Sequence, residues 1–427
     1  MVLAAFVADD FTGATDALWQ FQRYGLRARL LTSAAELAQE NLDADYDVIG
    51  IATTARSTTG TGAARVALPA LRALAGLKPE LLQYKVCSTF DSSPERGNIG
   101  SVIAGVGDEL GLLWPAPVLP AQPEFGRWTV FANHFASYAG KNYRLDRHEP
   151  MRRHPATPVD EADLRLHLGR QLAGEIGVLH VPLLADDTEL SVALDERMHS
   201  AETAFIVDAV TDTDLARFGV SLRDLQARVG HPLFAVGSGG LSYGYAAALA
   251  GSGSRVAPAP AHADVAPPQG PVLAVSGSCS PVTDRQIRTA EDAGWFSAHI
   301  DEAGVSERAR AALQQGRHSV VYTARGAGTG AAAADLSRRL GTLALGAVGD
   351  GLTSRLLVAG GDTSGDIIGM AGVTAIEISS SIDVAGLLCR SFGRNSVLDN
   401  AEVVLKGGQV GSDDFFLRVA GQAGMRQ

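Results

Sequence analysis

Two adjacent carboxylates, Asp9 and Asp10, follow the first apolar run of the sequence, in the segment FVADDFTGATDALWQFQRYG. Apolar residues recur behind them at helical spacing, from Ala14 to Tyr24, and predict a helix that Gly25 ends. In an open parallel sheet the carboxyl ends of the strands face the ligand crevice, so the two acids could hold sugar hydroxyls or a catalytic proton. The alternative is a helix-capping acid beside a solvated one, since Asp is a common N-cap.

Basic and polar side chains follow two further apolar runs. Arg56, in IATTARSTT, is predicted at the same edge of the sheet as Asp9, and its fork matches a carboxylate in two hydrogen bonds, although a surface ion pair is the alternative. The segment KVCSTFDSSPERGNIG combines cations, hydroxyls and glycines before a predicted helix, which favours an anionic substrate over a plain polar surface loop. Its candidate site residues are Lys85, Ser88, Asp91, Arg96 and Asn98.

Three glycine-containing loops follow apolar runs in the C-terminal part of the chain. VLAVSGSCSPVTDRQI leads from a strand into a helix, with Ser280 as the N-cap and Pro281 at the first helical position. VAGGDTSGDI and VLKGGQVGS repeat the pattern of a strand followed by glycines. One such loop alone would indicate a tight turn, but three in one lobe predict a nucleotide site, because free N–H groups at helix starts bind phosphate. The candidates are Ser276, Ser278, Ser280, Gly360, Gly361, Asp362, Thr363, Ser364, Lys406, Gly407 and Gly408.

The elements that position these residues can be predicted from length and apolar pattern. A chain of 427 residues with 46% hydrophobic and 19% charged residues is typical of a folded α/β enzyme with two domains. A segment rich in Pro, Ala, Gly and Ser, residues 251–270, predicts a linker between domains at 1–250 and 271–427. Apolar runs on both sides of it, TVFAN among them, predict strands that are covered on both faces. We therefore expect two α/β domains with largely parallel sheets and an inter-domain cleft.

Charge, cysteines and missing motifs exclude several classes of protein. The net charge of -11 argues against a general nucleic-acid binder, and three distant cysteines support neither a disulfide framework nor a zinc site. No apolar run is long enough for a membrane span and no signal peptide is found, so we expect a soluble cytoplasmic protein. The sequence contains no GxxxxGK[ST], no kinase HRD and DFG pair, and no GxSxG.

As a set, these motifs resemble the four-carbon acid sugar kinases, formerly DUF1537, which join an N-terminal sugar-binding domain to a C-terminal nucleotide-binding domain. The resemblance runs through VADDFTGATDA, KVCSTF, RGNIG, SGSCSPVTDRQI, GGDTSG and LKGGQVGS, and so covers nearly the whole chain. It implies phosphoryl transfer from ATP to a terminal hydroxyl of a small acid sugar such as threonate, erythronate or an oxo form. It also implies substrate contacts for Asp9, Arg56 and the segment Lys85 to Ser88, with Cys87, and nucleotide contacts for Ser278, Gly361 to Ser364, and Gly408.

One loop departs from the pattern of this family. Cys87 stands where the family has an acidic residue, and FDSSPE separates Thr89 from Arg96. The longer loop resembles a subgroup that acts on branched or oxidised acid sugars, such as 3-oxo-isoapionate. We expect the insert to line the substrate pocket; the alternative is that it braces the neighbouring YRLDRHEP segment.

The predicted mechanism is phosphoryl transfer by positioning and charge neutralisation, with ATP and Mg²⁺. Arg56 and Lys85 would bind the substrate carboxylate and Asp9 its hydroxyls, and the general base would be Asp10 or Asp91; the metal ligands stay unknown. An oxidoreductase on the same acids would need a GxGxxG that ADDFTG does not supply. A non-catalytic binder of acid sugars would leave the three glycine loops unexplained, and a non-catalytic nucleotide-binding protein is a further alternative. We expect no nucleic-acid or membrane partner, and the sequence leaves open whether the chain forms a homo-oligomer.

Overall fold

The computed structural model describes residues 2–38, 45–112, 115–154, 156–251, 265–323, 333–383 and 386–422. The chain divides into two compact units, residues 1–259 and 260–427. Each is an α/β domain with a largely parallel sheet, which confirms the predicted fold class. Residues 252–264 of the predicted linker lie outside the described residues, so the linker and the domain bounds stay a prediction.

The main sheet of the N-terminal unit is parallel and places β1 at its centre. The strands of this unit are β1 Ala4–Ala8, β2 Ala28–Leu31, β3 Val48–Ala52, β4 Leu81–Lys85, β5 Ala116–Leu119, β6 Arg127–Val130, β7 Asn133–Tyr138, β8 Lys141–Arg144, β9 Ile176–Leu179, β10 Ala204–Val207 and β11 Leu233–Gly237. The main sheet has the order β2-β3-β1-β4-β11-β5-β10-β9. Every residue of β1, β3, β4 and β11 is buried, and the apolar runs predict this burial for β1 and β3. The chain continues from β1 to β2 and β3 on one side of β1 and then to β4 on its other side. A ligand crevice is therefore expected at the carboxyl ends of β1, β3 and β4.

Strands β6, β7 and β8 form a separate antiparallel sheet. The run TVFAN was predicted as a strand of the parallel sheet, and this prediction is wrong: it spans the end of β6, a reversal of the chain and the start of β7. Phe131 and Ala132 adopt φ values of 48° and 64°, in the left-handed region that turns the chain back. Burial alternates along β6, which is typical of an antiparallel strand covered on one face.

The C-terminal unit has a mixed sheet in which five neighbouring strands are parallel. Its strands are β12 Val272–Ser276, β13 Phe296–His299, β14 Ser319–Tyr322, β15 Arg355–Ala359, β16 Ala375–Asp383, β17 Gly386–Phe392 and β18 Glu402–Lys406. They follow the order β13-β14-β12-β15-β18-β17-β16, and β17 pairs antiparallel with both β16 and β18. Strand β12 has β14 on one side and β15 on the other, so this sheet also has a switch point at its carboxyl edge.

Helices cover the faces of both sheets and begin at the loops that carry the candidate residues. They are α1 Phe11–Gln22, α2 Gly62–Ala75, α3 Ile99–Leu110, α4 Glu149–Arg152, α5 Leu164–Gly169, α6 Asp187–Met198, α7 Asp212–Val229, α8 Gly239–Gly251, α9 Pro281–Asp292, α10 Val305–Gln314, α11 Ala333–Gly349, α12 Gly361–Ala371 and α13 Phe415–Val419. The helices predicted behind Asp10 and Ser280 are α1 and α9. Among the residues that the structure describes, none of the helices has the length and apolar character needed to cross a bilayer.

Candidate active site

Asp9 and Asp10 leave the end of β1 and both bind Arg56, which follows β3. Nε and Nη2 of Arg56 donate to the two carboxylate oxygens of Asp9, at 3.0 and 2.6 Å, and Nη1 donates to Asp10 Oδ2 at 2.5 Å. Asp10 also caps α1, because its Oδ1 accepts from the Gly13 amide at 2.5 Å. The capping alternative therefore holds for Asp10, whereas Asp9 is buried and not solvated. Three of the N–H groups of Arg56 thus have protein carboxylates as partners.

The electrostatics of the triad formed by Asp9, Asp10 and Arg56 separate Asp9 from an ordinary surface carboxylate. Burial raises the pKa of Asp9 above its usual value, the charge of Asp10 raises it further, and Arg56 offsets part of the effect. Burial opposes the charge of Arg56, but the two carboxylates outweigh it and raise the pKa of the guanidinium. A carboxylate whose pKa is raised is a stronger base, so the site can accept a proton from a hydroxyl.

Lys85 ends β4 and points its ammonium at the start of α1. The side chain is buried, with Nζ at 3.4 Å from Asp16 Oδ2 and 3.2 Å from the carbonyl oxygen of Val86. A Cβ on Gly13 would lie 2.7 Å from Asp10 Oδ1 and 3.1 Å from Lys85 Nζ. Gly13 therefore allows the acid and the cation to approach the first turn of the helix closely.

Asp16 and Gln122 belong to this cluster although sequence reasoning did not select them. Asp16 Oδ1 accepts hydrogen bonds from Gln122 Nε2, after β5, at 3.0 Å and from Gln20 Nε2 at 3.1 Å. The segment GSGG, which spans the end of β11 and the start of α8, places Gly239 beside the same carboxylate. This is the strand, glycine and helix pattern that identified the C-terminal loops, so it was a usable signal in the sequence.

In the loop after β4, Cys87 and Asp91 both form hydrogen bonds with the hydroxyl group of Thr89. Cys87 Sγ lies 3.0 Å from Thr89 Oγ1, which donates to Asp91 Oδ1 at 2.5 Å. Burial, assisted by the charge of Asp91, raises the pKa of Cys87 to about 11, so the thiol stays neutral. Burial also acts to raise the pKa of Asp91, but the charges of His154 and Arg56 and the Thr89 hydrogen bond lower it below its usual value. Asp91 is therefore a weaker base than Asp9.

The inserted segment FDSSPE is attached to the region around α5. Phe90 is fully buried, with a φ of 56°. Ser92 Oγ lies 3.2 Å from His167 Nε2 and accepts from Gln171 Nε2 at 2.9 Å. These contacts anchor the second half of the insert, while Asp91 is directed to Thr89 at the start of the loop.

The last residues of this loop have local partners. Asn98 caps α3, where its Oδ1 accepts from the Ser101 amide at 2.7 Å and its Nδ2 donates to the Pro94 carbonyl at 3.3 Å. Arg96 forms an isolated β-bridge with Thr59 through its backbone. The structure thus gives Asn98 a capping function, and substrate binding by Arg96 and Asn98 stays a prediction.

In the C-terminal unit the three glycine loops begin side by side. Ser276, Ala359 and Lys406, the last residues of β12, β15 and β18, are in register across neighbouring strands. The Gly360 amide donates to the Lys406 carbonyl at 2.8 Å, and the loops after β12 and β18 are so close that a Cβ on Gly408 would lie 2.5 Å from Ser278 Oγ. Their convergence is the tertiary feature that the sequence pattern predicted.

Hydroxyl groups connect these loops to the helices that follow them. Ser276 Oγ accepts from the Ser278 amide and Ser278 Oγ from the Ser280 amide, both at 3.3 Å. Ser280 caps α9, as predicted, and accepts from the Val282 amide at 3.2 Å. Ser364 donates to the Gly360 carbonyl at 2.8 Å in the first turn of α12. The starts of α9 and α12 thus lie at one edge of the sheet, where their N–H groups suit an anion.

Lys406 is a fully buried cation behind the third loop. Its Nζ donates to the Gly407 carbonyl at 2.8 Å and to Thr283 Oγ1 at 3.3 Å. In the described part of the chain it has no carboxylate partner, and burial lowers its pKa to about 7. A buried ammonium without a counter-ion at a glycine loop is suited to a phosphate group.

Comparison with known protein families decides what these two units are. Residues 4–245 match the sugar-binding N-terminal domain and residues 273–416 match the nucleotide-binding C-terminal domain of one family. The chain belongs to the four-carbon acid sugar kinase family. The resemblance that the sequence motifs predicted is thereby confirmed.

Curated members of this family align with almost the whole chain. A 3-oxo-isoapionate kinase of Paraburkholderia graminis is 33% identical over 446 residues, which cover 97% of this chain and 93% of that protein. A 3-oxo-tetronate kinase of Methylobacterium radiotolerans is 31% identical, with 96% of this chain and 97% of the relative covered. The solved structure of a Haemophilus influenzae DUF1537 protein has a TM-score of 0.69 at 22% identity, covers 98% of this chain and 99% of its own, and shows the same fold.

Proposed function

We propose that this member of the acid sugar kinase family transfers the γ-phosphoryl group of ATP to a hydroxyl of a small acid sugar. The observation that carries this proposal is the convergence of three glycine loops on adjacent strands of the nucleotide-binding domain, in a chain that aligns over 97% of its length with a 3-oxo-isoapionate kinase. Phosphoryl transfer requires positioning and charge neutralisation more than covalent catalysis, and the two clusters offer these functions.

In the sugar-binding domain, the triad after β1 and β3 would receive the accepting hydroxyl. Asp9 would take the hydroxyl proton, because burial raises its pKa, and Arg56 would hold both carboxylates in place. Asp10 would orient the hydroxyl, and Lys85 would place a positive charge beside it. The lowered pKa of Asp91 favours a substrate-binding role for that residue over general-base catalysis.

In the nucleotide-binding domain, the amides at the starts of α9 and α12 would bind the phosphates, with Ser278, Gly361 and Gly408 closest to them. Lys406 would supply the charge behind the third loop, and phosphate binding would raise its pKa and hold it in the charged form. Glycine recurs in these loops because a side chain at Gly277 or Gly408 would collide with a neighbouring loop.

Mg²⁺ is the metal that ATP-dependent transfer requires. In the described ranges no group of three or more His, Cys, Asp and Glu side chains is arranged to hold a metal ion. Mg²⁺ does not need such a group, because it usually binds one or two carboxylates together with the phosphates of the nucleotide. Asp362, an exposed carboxylate in the first turn of α12, is the residue that would hold it. When bound, the ion screens the phosphate charges.

We infer that the substrate is a branched or oxidised acid of the 3-oxo-isoapionate type, with 3-oxo-tetronates and simple tetronates as weaker substrates. The inference is supported by the identity to the Paraburkholderia graminis enzyme and by the longer loop, in which a neutral Cys87 replaces an acidic residue. The enzyme would act in the cytoplasm, where the free thiols Cys87, Cys279 and Cys389 stay reduced. ATP and the acid sugar are the partners that this function requires.

A coupled assay for ADP release tests the proposal. The protein is mixed with MgATP and a panel containing 3-oxo-isoapionate, 3-oxo-tetronate, erythronate and threonate, with an acid-free mixture as the background. We expect ADP release that depends on the acid and is fastest with an oxidised or branched one. ATP binding without acid-dependent ADP release would identify a binding protein, and reduction of NAD⁺ by the acids would identify an oxidoreductase; either result contradicts the proposal.

A further inference from the structure

Arg127, in β6 of the N-terminal domain, is a buried arginine that has no acidic partner among the residues that the structure describes. Its exposed fraction is 6%. Nη1 donates to the carbonyl oxygens of Phe125 and Gly126, at 2.7 and 3.0 Å, and Nε is buried without any hydrogen bond. In the described residues no carboxylate forms an ion pair with it. A buried guanidinium charge that lacks a counter-ion is costly, and this cost is removed when an anion binds.

The small sheet directs Arg127 toward the substrate loop. Arg127 and Thr129 lie on the buried face of β6, and Thr129 Oγ1 is 3.0 Å from Nδ1 of His134 on β7. Burial lowers the pKa of His134 to about 4, so the ring is neutral and its Nε2 donates to the carbonyl oxygen of Ser88 at 2.7 Å. This hydrogen bond holds the buried face of the sheet against the loop after β4.

Arg127 therefore lies near the residues that the longer loop contributes. Residues two apart on one face of a strand are separated by about 7 Å, which is the distance along β6 from Arg127 to Thr129. Thr129 in turn contacts His134, the residue that bonds to Ser88. Burial lowers the pKa of Arg127, and electrostatic interactions with Cys87 and Asp91 oppose this effect, which places both residues within the electrostatic range of the guanidinium. The anion that Arg127 lacks would thus be bound next to the candidate substrate residues.

Arg56 is poorly suited to bind that anion. Its Nε and Nη2 edge holds Asp9 and its Nη1 holds Asp10, so a substrate carboxylate would have to displace a protein carboxylate. In the described part of the chain, only Nη1 of Arg127 has hydrogen-bond partners, and the edge formed by Nε and Nη2 remains. This edge can bind a carboxylate through two parallel hydrogen bonds, in the same way as Arg56 binds Asp9.

We propose that Arg127 binds the carboxylate group of the acid substrate through its Nε and Nη2 edge. The proposal rests on the proposed function, since it assigns the acid group of the same substrate. It makes the antiparallel sheet β6 to β8 part of the substrate site and separates two tasks: Arg127 recognises the acid, and Arg56 positions the carboxylates that handle the hydroxyl.

The test compares an acid with its neutral primary amide. For the best acid of the panel and its amide, kcat/KM is measured in the wild type, in Arg127→Met and in Arg127→Lys. Loss of a charge-assisted bond should lower kcat/KM for the acid about 10- to 150-fold in Arg127→Met and leave the amide nearly unchanged. Arg127→Lys keeps the charge without the fork, so we expect an intermediate preference for the acid.

Arg217 provides a control for the loss of an arginine that binds backbone carbonyls. Its Nη1 donates to the carbonyls of Leu184 and Ala185, both at 2.9 Å, as that of Arg127 does to Phe125 and Gly126. Arg217→Gln should lower Tm without changing the preference for the acid over the amide. If the Arg127 variants lose activity on acid and amide equally, the arginine only braces the turn at Gly126 and the proposal is wrong.

The proposal stays testable if Arg127→Met does not fold and if the wild type is inactive on the panel. If Arg127→Met does not fold, the preference of Arg127→Lys decides, and an unchanged acid-to-amide ratio contradicts the proposal. If the wild type phosphorylates none of the acids, the proposed function fails, and titration calorimetry with threonate in the absence of ATP then tests Arg127 by itself. Binding to the wild type that Arg127→Lys weakens at least tenfold supports the proposal, and absence of wild-type binding overturns it.

Discussion

Replacing Arg56 with methionine should destabilise the sugar-binding domain strongly. The side chain of Arg56 is 21% exposed and that of Asp9 is 3% exposed, so the ion pair between them is largely shielded from water. Methionine has a similar length but no donors. It would leave Asp9 without the two bonds at 3.0 and 2.6 Å, and Asp10 without the bond at 2.5 Å.

The magnitude follows from the cost of uncompensated buried charge. Removing one partner of a buried ion pair costs about 3–5 kcal/mol. For a domain of 150–250 residues, 1 kcal/mol corresponds to about 2–4 °C in Tm, so the expected loss is roughly 6–20 °C. Two carboxylates depend on the same guanidinium, so we expect the upper part of this range at pH 8.

The destabilisation should depend on pH in a defined direction. Burial already raises the pKa of Asp9 in the folded protein, and loss of Arg56 removes an opposing influence and raises this pKa further. A carboxyl group whose pKa is higher in the folded than in the unfolded state favours folding when protonated, and this stability is lost as the pH rises through the folded pKa. The Tm difference between wild type and Arg56→Met should therefore be largest at pH 8 and shrink toward pH 5.

Thermal unfolding followed by tryptophan fluorescence at pH 5, 6.5 and 8 measures this effect. Arg56→Lys keeps a positive charge and should lose less stability than Arg56→Met. The double variant Asp9→Asn with Arg56→Met removes one stranded charge, so it should be more stable than Arg56→Met alone at pH 8. A Tm difference that is the same at all three pH values, or a double variant no more stable than Arg56→Met, would refute the reasoning.

Three further predictions concern the loops. Gly408→Ala should weaken ATP binding at least tenfold, because its Cβ would lie 2.5 Å from Ser278 Oγ. The control Gly369→Ala in α12 should keep the wild-type affinity, because its Cβ meets no atom within 4 Å. Equal affinities of the two variants by calorimetry would contradict this prediction. ATP affinity of the wild type should fall about tenfold or more between pH 7.5 and pH 9, because Lys406 has a pKa of about 7 and must be charged to bind phosphate. Lys406→Met should bind ATP weakly and with a smaller pH dependence. The same pH dependence in the variant and the wild type would refute the assignment. Asp91→Asn should change the ranking of acids in the panel, because it removes a charge from the candidate substrate loop. Ser92→Ala should lower Tm by a few degrees without changing the ranking, because the buried Ser92 hydroxyl already bonds to Phe90, His167 and Gln171.

Local signals in the sequence were sufficient for the fold class and for the position of both clusters. The apolar runs around Ala4–Ala8 and Val272–Ser276 are long enough to be strands buried on both faces, and parallel strands align their carboxyl ends by register. Polar residues directly after such strands must therefore lie at one edge of the sheet. This is why Asp9 and Arg56 could be grouped from the sequence, and likewise the three glycine loops.

The hydrogen-bond and ion-pair partners of these side chains could not be predicted from the apolar runs. Arg56 was expected to bind the substrate carboxylate, but it pairs with Asp9 and Asp10, because neighbouring strands bring a donor fork and two acceptors from distant positions to the same height. Asp16 is the same kind of case, since a position in the second turn of α1 becomes part of the site only when Lys85 lies opposite. Sequence spacing carries no information about such distances.

The tertiary structure alone decided the role of the segment between β5 and α5. Its apolar run suggested a strand of the parallel sheet, yet left-handed φ values at Phe131 and Ala132 reverse the chain into an antiparallel sheet. This sheet places His134 on the carbonyl of Ser88 and buries Arg127, which forms no ion pair with a described carboxylate. Local sequence determines which residues favour strands, turns and helix starts, because these preferences act over a few residues. Which charges are buried, and which of them have a partner, depends on contacts between residues far apart in the chain, and only the folded structure provides these contacts.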